Sequence, residues 1–167
     1  MRVISDSSPL IALSRIGQLD LLHELYGEVT VPQGVVQEVT GNGAGQPGAE
    51  EVSAAKWIIA AEVGDQQFVA SLRRDLGEGE AEAIALAVES KADLLIADDM
   101  LARQVAGTLG LTVVGTVGVL LEARQKGLLP EIKPYLDDLT DLAGFRLSGE
   151  LYARVLREAD EQGARTS

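Results

Sequence analysis

Five acidic residues, far apart in the chain, stand where an α/β fold would gather them. Asp6 ends the β-prone run Val3-Ile4-Ser5 and a helix start follows at once, with Ser8 read as N-cap and Pro9 as the first helical residue. Asp98 and Asp99 end the apolar run Leu94-Leu95-Ile96-Ala97, again just before a helix. Glu80 heads the alanine-rich helix that leads into that run. Glu38 sits among Val35, Val36 and Val39, on a segment that reads as core-facing. A charge in such company has to be paired, hydrated or bound to something. Unpaired carboxylates within a few Å repel and raise one another's pKa, a penalty that a hard divalent cation such as Mg²⁺ or Mn²⁺ reverses. A site of that kind orients and deprotonates water and stabilises phosphodiester charge, so the chemistry that fits is metal-assisted hydrolysis. Taken singly, each acid has a plainer reading. Asp6 is also a good helix cap, Glu78 and Glu82 are first-turn acids suited to a solvated face, and one of Asp98 and Asp99 is an N-cap, in an order the sequence leaves open. Joint placement is what points to a site.

The elements that must do the placing alternate along the chain. Short β-prone runs lie at 3–5, 29–31, 94–97 and 112–114, with 57–61 as an edge strand. Helical patterns occupy 10–16, 19–25, a stretch opened by Pro32, 49–56, 65–73, the run from 78, 101–109, 117–126, 130–142 and 148–162. The glycine-rich stretch 40–48 reads as a loop, since its spacing is not GxGxxG and no strand precedes it. Ala81, Ile84, Ala85 and Val88 form a small-residue face suited to close packing on a sheet. Strands alternating with helices imply a parallel sheet with right-handed crossovers. All strand carboxyl ends then share one rim, where open α/β sheets bind ligands.

Composition sets the outer bounds. A chain of 167 residues with 46% hydrophobic content is expected to form one domain over 1–167 with a sizeable core. It has no cysteine, which removes disulfides and thiolate metal sites and is compatible with the cytoplasm. No apolar run is long enough to span a bilayer and the N-terminus lacks a signal pattern, so a soluble cytoplasmic protein is expected. A net charge of −12 argues against a broad nucleic-acid-binding surface but not against nucleic acid at one cation-bridged site. His23 reads as a surface residue and Trp57 as a packing anchor. Arg103, one turn beyond the aspartate doublet, is a candidate phosphate contact, as are Arg15, Arg73 and Arg74 from other helices.

At the stretches VISDSSPLIAL, LGEGEAEAIALA and LLIADDMLARQVAGTLGLTVVGTVGVLLEA the chain resembles prokaryotic PIN-domain proteins. The likeness covers a core of about 1–130 and extends into the C-terminal helices at about 130–163. It implies a three-layer α/β/α fold around a central, mostly parallel sheet. It further implies an acidic pocket holding Mg²⁺ or Mn²⁺ for ribonuclease action, as in toxins of toxin–antitoxin pairs. By motif, the family's first acid falls on Asp6, the second on Glu38, the third on Glu80 and the fourth on Asp98 or Asp99. Ser7 and Ser8 match the polar position after the first acid, where a hydroxyl suits phosphate or cation-bound water. RNA is the implied substrate and a small antitoxin protein the implied partner. A homodimer is a further possibility, with the apolar residues of the helices at 10–25 offering a surface. Two other classes compete. One is a PIN-like regulatory module that binds RNA or a protein without cleaving, against which the full set of acids weighs. The other is phosphotransfer on an aspartate. Haloacid-dehalogenase-like phosphatases need an aspartate where Ser8 stands, and receiver domains need the acidic pair before the phospho-acceptor, the reverse of this order.

Overall fold

The strands of this chain are short and mostly apolar, and the central ones, buried along nearly their whole length, need cover on both sides. The computed structural model describes residues 1–42, 45 and 48–161. Its strands are β1 (Val3–Ser5), β2 (Val29–Pro32), β3 (Ile58–Ala61), β4 (Leu94–Ile96) and β5 (Val113–Val114). They form one all-parallel sheet in the order β3-β2-β1-β4-β5. Ile4 lies opposite Thr30 on one side and Leu95 on the other, and Leu95 lies opposite Val113. Successive side chains alternate between two cores: Val3, Val29, Val31, Leu94 and Ile96 face one, Ile4, Leu95 and Ala97 the other.

Between β1 and β2 run α1 (Ser7–Arg15) and α2 (Asp20–Tyr26). Between β2 and β3 run α3 (Gln33–Val36), a π-helical turn (Gln37–Asn42) and α4 (Ala49–Ala54). Both connections cover the first core. Those from β3 to β4, by α5 (Gln66–Leu72) and α6 (Glu78–Glu89), and from β4 to β5, by α7 (Met100–Thr108), cover the second. The first pair steps across the sheet one way and the second pair the other way. Direction and face reverse together, as a single crossover hand requires. After β5 the chain returns to the first core through α8 (Thr116–Gln125), α9 (Lys133–Asp141) and α10 (Gly149–Glu158). The result is the expected α/β/α sandwich. Its topological switch lies between β1 and β4, the pair whose onward connections diverge.

The C-terminal helices share this core. Leu136, Leu139, Val155 and Leu156 are buried in the same cluster as the sheet's Val3 and Ile96. Glu161, just after α10, accepts the backbone N–H groups of Ile132 and Lys133 at 2.6 and 3.2 Å, which satisfies open donors at the start of α9.

Several expectations change in detail. Helix α1 starts at Ser7, with Asp6 rather than Ser8 as its cap, because Asp6 Oδ1 accepts the Ser7 N–H at 2.7 Å. Pro9 sits inside the first turn, where its missing N–H has no helical partner to lose. Thr40, Gly41 and Asn42, expected in a loop, continue the π-helical turn, and much of 43–47 falls outside the described residues, as does Gln162. Val88 is not part of the buried face of α6: it is exposed, whereas Ala83, Leu86 and Ala87 are buried. This helix is wedged between the sheet and its neighbours α5 and α7, which covers it on more than one side. Of the apolar residues of the helices at 10–25, Leu10, Leu13, Leu21 and Leu22 are the inward face of α1 and α2, while Ile11 and Leu25 are half-buried. Trp57 packs half-buried against the first core, with the exposed His23 ring stacked on it at 5.4 Å. Among the described residues, no helix is long and apolar enough to cross a membrane.

Candidate active site

The carboxyl ends of β1 and β4, on either side of the switch, deliver Asp6 and Asp98 to one rim. The ladder holds to its last rung there: Asp6 N–H donates to Ile96 O at 3.0 Å and Ala97 N–H to Val114 O at 2.9 Å. Asp6 is 3% exposed, an unusual degree of burial for a carboxylate. It looks into a cleft of about 430 Å³ whose other acids are Glu38, Glu78, Glu80 and Glu82.

Glu38 reaches the cleft from the π-helical turn. The wider π turn changes the side-chain register, so that Val35, in α3, and Val39 are both buried while Glu38, placed between them in sequence, is exposed on the cleft side. Hydration and the cleft, not a partner within the core, are what accommodate its charge. Glu80 and Glu82 come from the first turns of α6 and are half-buried. Two glycines allow the walls to close. A Cβ on Gly79 would lie 3.1 Å from Glu38 Oε2 and 3.4 Å from Asp6 Oδ1, and one on Gly34 would lie 2.7 Å from both carboxylate oxygens of Glu82.

This concentration of charge acts on Asp6. Burial, followed by the negative charges of Glu80, Glu38 and Asp98, pushes its carboxyl from 3.8 up to about 7, against the opposing pull of the Ser7 N–H. Burial and Glu78 likewise raise the Glu82 carboxyl, in part offset by the Gly34 backbone and Arg73. Among the described residues, none of Asp6, Glu38, Glu80, Glu82 and Asp98 is in a salt bridge; only Glu78 has one, with Arg73 at 3.9 Å.

The aspartate doublet divides its work. Asp99 is exposed and caps α7, accepting the Ala102 N–H at 2.9 Å. Asp98 turns to the rim. Its Oδ1 accepts the Thr116 N–H at 2.7 Å, and its Oδ2 accepts the hydroxyls of Thr116 at 2.6 Å and Ser8 at 3.2 Å. Asp98 is therefore tied to the starts of α1 and α8, beside the cleft rather than among its lining residues. Ser7 lines the cleft, whereas the Ser8 hydroxyl serves Asp98. Arg103 is exposed near the same place, its Nη1 2.8 Å from where a Cβ of Gly115 would be. Arg15 is at the far end of α1, away from the rim.

Thr116 is not among the residues that the sequence singles out, and Glu78 and Glu82, expected on a solvated face, both line the cleft. Thr116 follows β5 as Asp6 follows β1, and that third strand end was the available signal. Glu82 lies two residues beyond Glu80, which on a helix means a different face. Only the approach of α3 at Gly34 brings it into the cleft wall.

The donor set suits a hard cation: all oxygen, anionic, with no cationic side chain among the cleft-lining residues. Among the described residues no three of these acids converge closely enough to enclose an ion by themselves. Mg²⁺ seldom needs that, since it keeps several waters and takes one or two carboxylates.

A family model described as PIN domain matches residues 2–161. PIN domains are generally nucleases and typically use divalent metal ions. No curated protein matches the chain. The match takes in the whole sheet, each acid of the cleft and both helices at the C-terminus, and on that extent the chain belongs to the PIN-domain family.

Proposed function

We propose that the chain is a metal-dependent endoribonuclease that hydrolyses RNA phosphodiesters, and that it serves in the cytoplasm as the toxin of a toxin–antitoxin pair. The observation that carries the nuclease reading is Asp6, buried at the switch point, facing Glu38 and Glu80 across a cleft, with none of the three in a salt bridge among the described residues. Asp6, Glu80 and Asp98 would hold Mg²⁺ or Mn²⁺, with Glu38 completing the acidic wall and Asp99 holding α7 in place. When bound, the ion supplies Lewis acidity for the attack of water on a phosphodiester. Asp6 is the cleft's most buried acid, and a bound cation would offset the burial and neighbouring negative charge that raise its pKa, favouring its ionised form. The N-termini of α1 and α6 meet the cleft, where the positive ends of helix dipoles favour phosphate oxygens. Ser7 in the cleft lining and Arg103 on the rim would contact the substrate's backbone. The toxin role is supported by the likeness of VISDSSPLIAL and LGEGEAEAIALA to that branch of the family.

The test is cleavage of an end-labelled single-stranded RNA by wild type and Asp6→Asn, with MnCl₂ or with EDTA. Cleavage should need the cation and vanish in the variant, whose circular dichroism stays that of the folded chain. Equal cleavage by both proteins, or activity that persists in EDTA, overturns the reading. Tight binding of RNA or of a protein without cleavage would instead favour a regulatory module, consistent with acids that do not by themselves enclose an ion. Growth arrest on expression, relieved by a small protein encoded in the adjacent frame, tests the toxin role.

A further inference from the structure

Asp98 is the most fully bonded acid of the rim. An ionised carboxylate offers about four lone-pair positions, two on each oxygen. Oδ2 uses both of its own, for the hydroxyls of Thr116 at 2.6 Å and Ser8 at 3.2 Å. Oδ1 uses one, for the Thr116 N–H at 2.7 Å, and keeps the other. Thr116 is fully buried at the first position of α8, so both of its donors are held in place. Oδ1 is also the oxygen beside Gly115, where a Cβ would come within 2.9 Å of it. The backbone of Gly115, at φ −98° and ψ −179°, is one that any residue adopts. Glycine is therefore not needed there for its conformational freedom; its missing Cβ leaves room between Oδ1 and the Arg103 guanidinium, whose Nη1 would lie 2.8 Å from that Cβ.

We infer that Thr116 is a positioning residue for the cation-dependent reaction: with Ser8 it occupies Oδ2 and restricts Asp98 to a single contact through Oδ1, on the side of Gly115, which the Arg103 guanidinium also borders. The inference rests on the nuclease reading above and adds to it how one acid is used. A carboxylate with one free position serves as a one-oxygen ligand, or as the acceptor for a water in the ion's shell, and not as a two-oxygen chelator.

The experiment is titration of the full chain with MnCl₂, with free Mn²⁺ read by electron paramagnetic resonance, on wild type, Thr116→Val, Thr116→Ser and Gly115→Ala. Thr116→Val keeps the shape and the N–H but loses the hydroxyl, and Mn²⁺ affinity should fall about ten- to a hundredfold, the usual cost of losing an outer-shell partner. Thr116→Ser restores the donor and should bind nearly as wild type does. Gly115→Ala should weaken binding without lowering the melting temperature, because its methyl presses on the side-chain atoms Arg103 Nη1 and Asp98 Oδ1, at 2.8 and 2.9 Å, and meets the backbone only in ordinary contact, with Ala97 O at 3.6 Å. Wild-type affinity in Thr116→Val overturns the inference while leaving the nuclease reading intact, as does an equal loss in the serine and valine variants. If Thr116→Val does not fold, Gly115→Ala decides, and unchanged affinity there overturns the inference. Failure of wild type itself to bind Mn²⁺ overturns the nuclease reading, and this inference falls with it.

Discussion

Replacing Asp6 by asparagine should stabilise the metal-free protein, and by an amount that grows with pH. The Asp6 carboxyl titrates at about 7 in the folded chain, against an ordinary value of 3.8, because it is buried and faces Glu80, Glu38 and Asp98. Between those two pH values the folded state keeps a proton that the unfolded state has released. Stability therefore falls as pH rises through that window; the contribution is whole below about pH 4 and gone above about pH 7. Three pH units at roughly 1.4 kcal/mol each give about 4 kcal/mol. For a chain of this length that corresponds to a melting shift on the order of 10 °C. Asparagine stays neutral throughout, and its Oδ1 can still accept the Ser7 N–H that caps α1. The assay is thermal unfolding of wild type and Asp6→Asn in EDTA from pH 4.5 to 8.5, read as the difference between the two at each pH, so that the chain's other acids cancel. The variant's advantage should widen by about 10 °C on going from acid to alkaline pH. Adding MnCl₂ at pH 8 should raise the wild type's melting temperature and leave the variant's unmoved. A difference that stays flat with pH would refute the reasoning, since burial among three carboxylates would then cost Asp6 nothing.

Other substitutions separate charge, space and scaffold. Asp99→Ala removes the cap bond to Ala102 and should cost about 1 kcal/mol in urea unfolding while leaving RNA cleavage unchanged; Asp98→Asn should abolish cleavage. Gly79→Ala should raise stability in EDTA by up to about 1 kcal/mol, because alanine is the better helix former, yet weaken Mn²⁺ binding in a calorimetric titration. Its methyl would stand 3.1 Å from Glu38 Oε2 and 3.4 Å from Asp6 Oδ1. Tyr26→Phe removes the 2.7 Å bond to Glu122, far from the cleft; burial and that carboxylate hold the phenol well above its ordinary pKa, so it is a donor at every pH of interest. Equilibrium unfolding should show a loss of about 1 kcal/mol, with cleavage untouched.

Much of the fold was legible in one dimension because its signals are local. Runs such as Leu94-Leu95-Ile96, closed by polar residues, read as central strands, and the alternation of strands with helices required parallel pairing. Boundaries were less so. The start of α1 moved because a side-chain bond from Asp6, not the preference of Pro9, decides where the helix is capped. Glu38 read as an anomaly among valines, since its exposure depends on a π-helical turn that a 3.6-residue period does not describe. Thr116 is marked in the sequence only by its place after β5 and not by its chemistry, because hydroxyls at helix starts are common.

By itself, then, the sequence determined which acids follow strands, and hence that Asp6 and Asp98 share a rim; parallel strands leave no other end for them. It also determined, through strongly apolar short strands, that the sheet is covered on both faces. Only the tertiary structure decided the order β3-β2-β1-β4-β5, which makes β1 and β4 neighbours and puts the switch point at Asp6. The tertiary structure alone also divided the Asp98-Asp99 doublet. Two adjacent carboxylates have the same chemistry, and what separates them is the direction of each side chain: Asp99 points along the chain to the amides of α7, and Asp98 points across it to Thr116 and Ser8, 18 and 90 residues away.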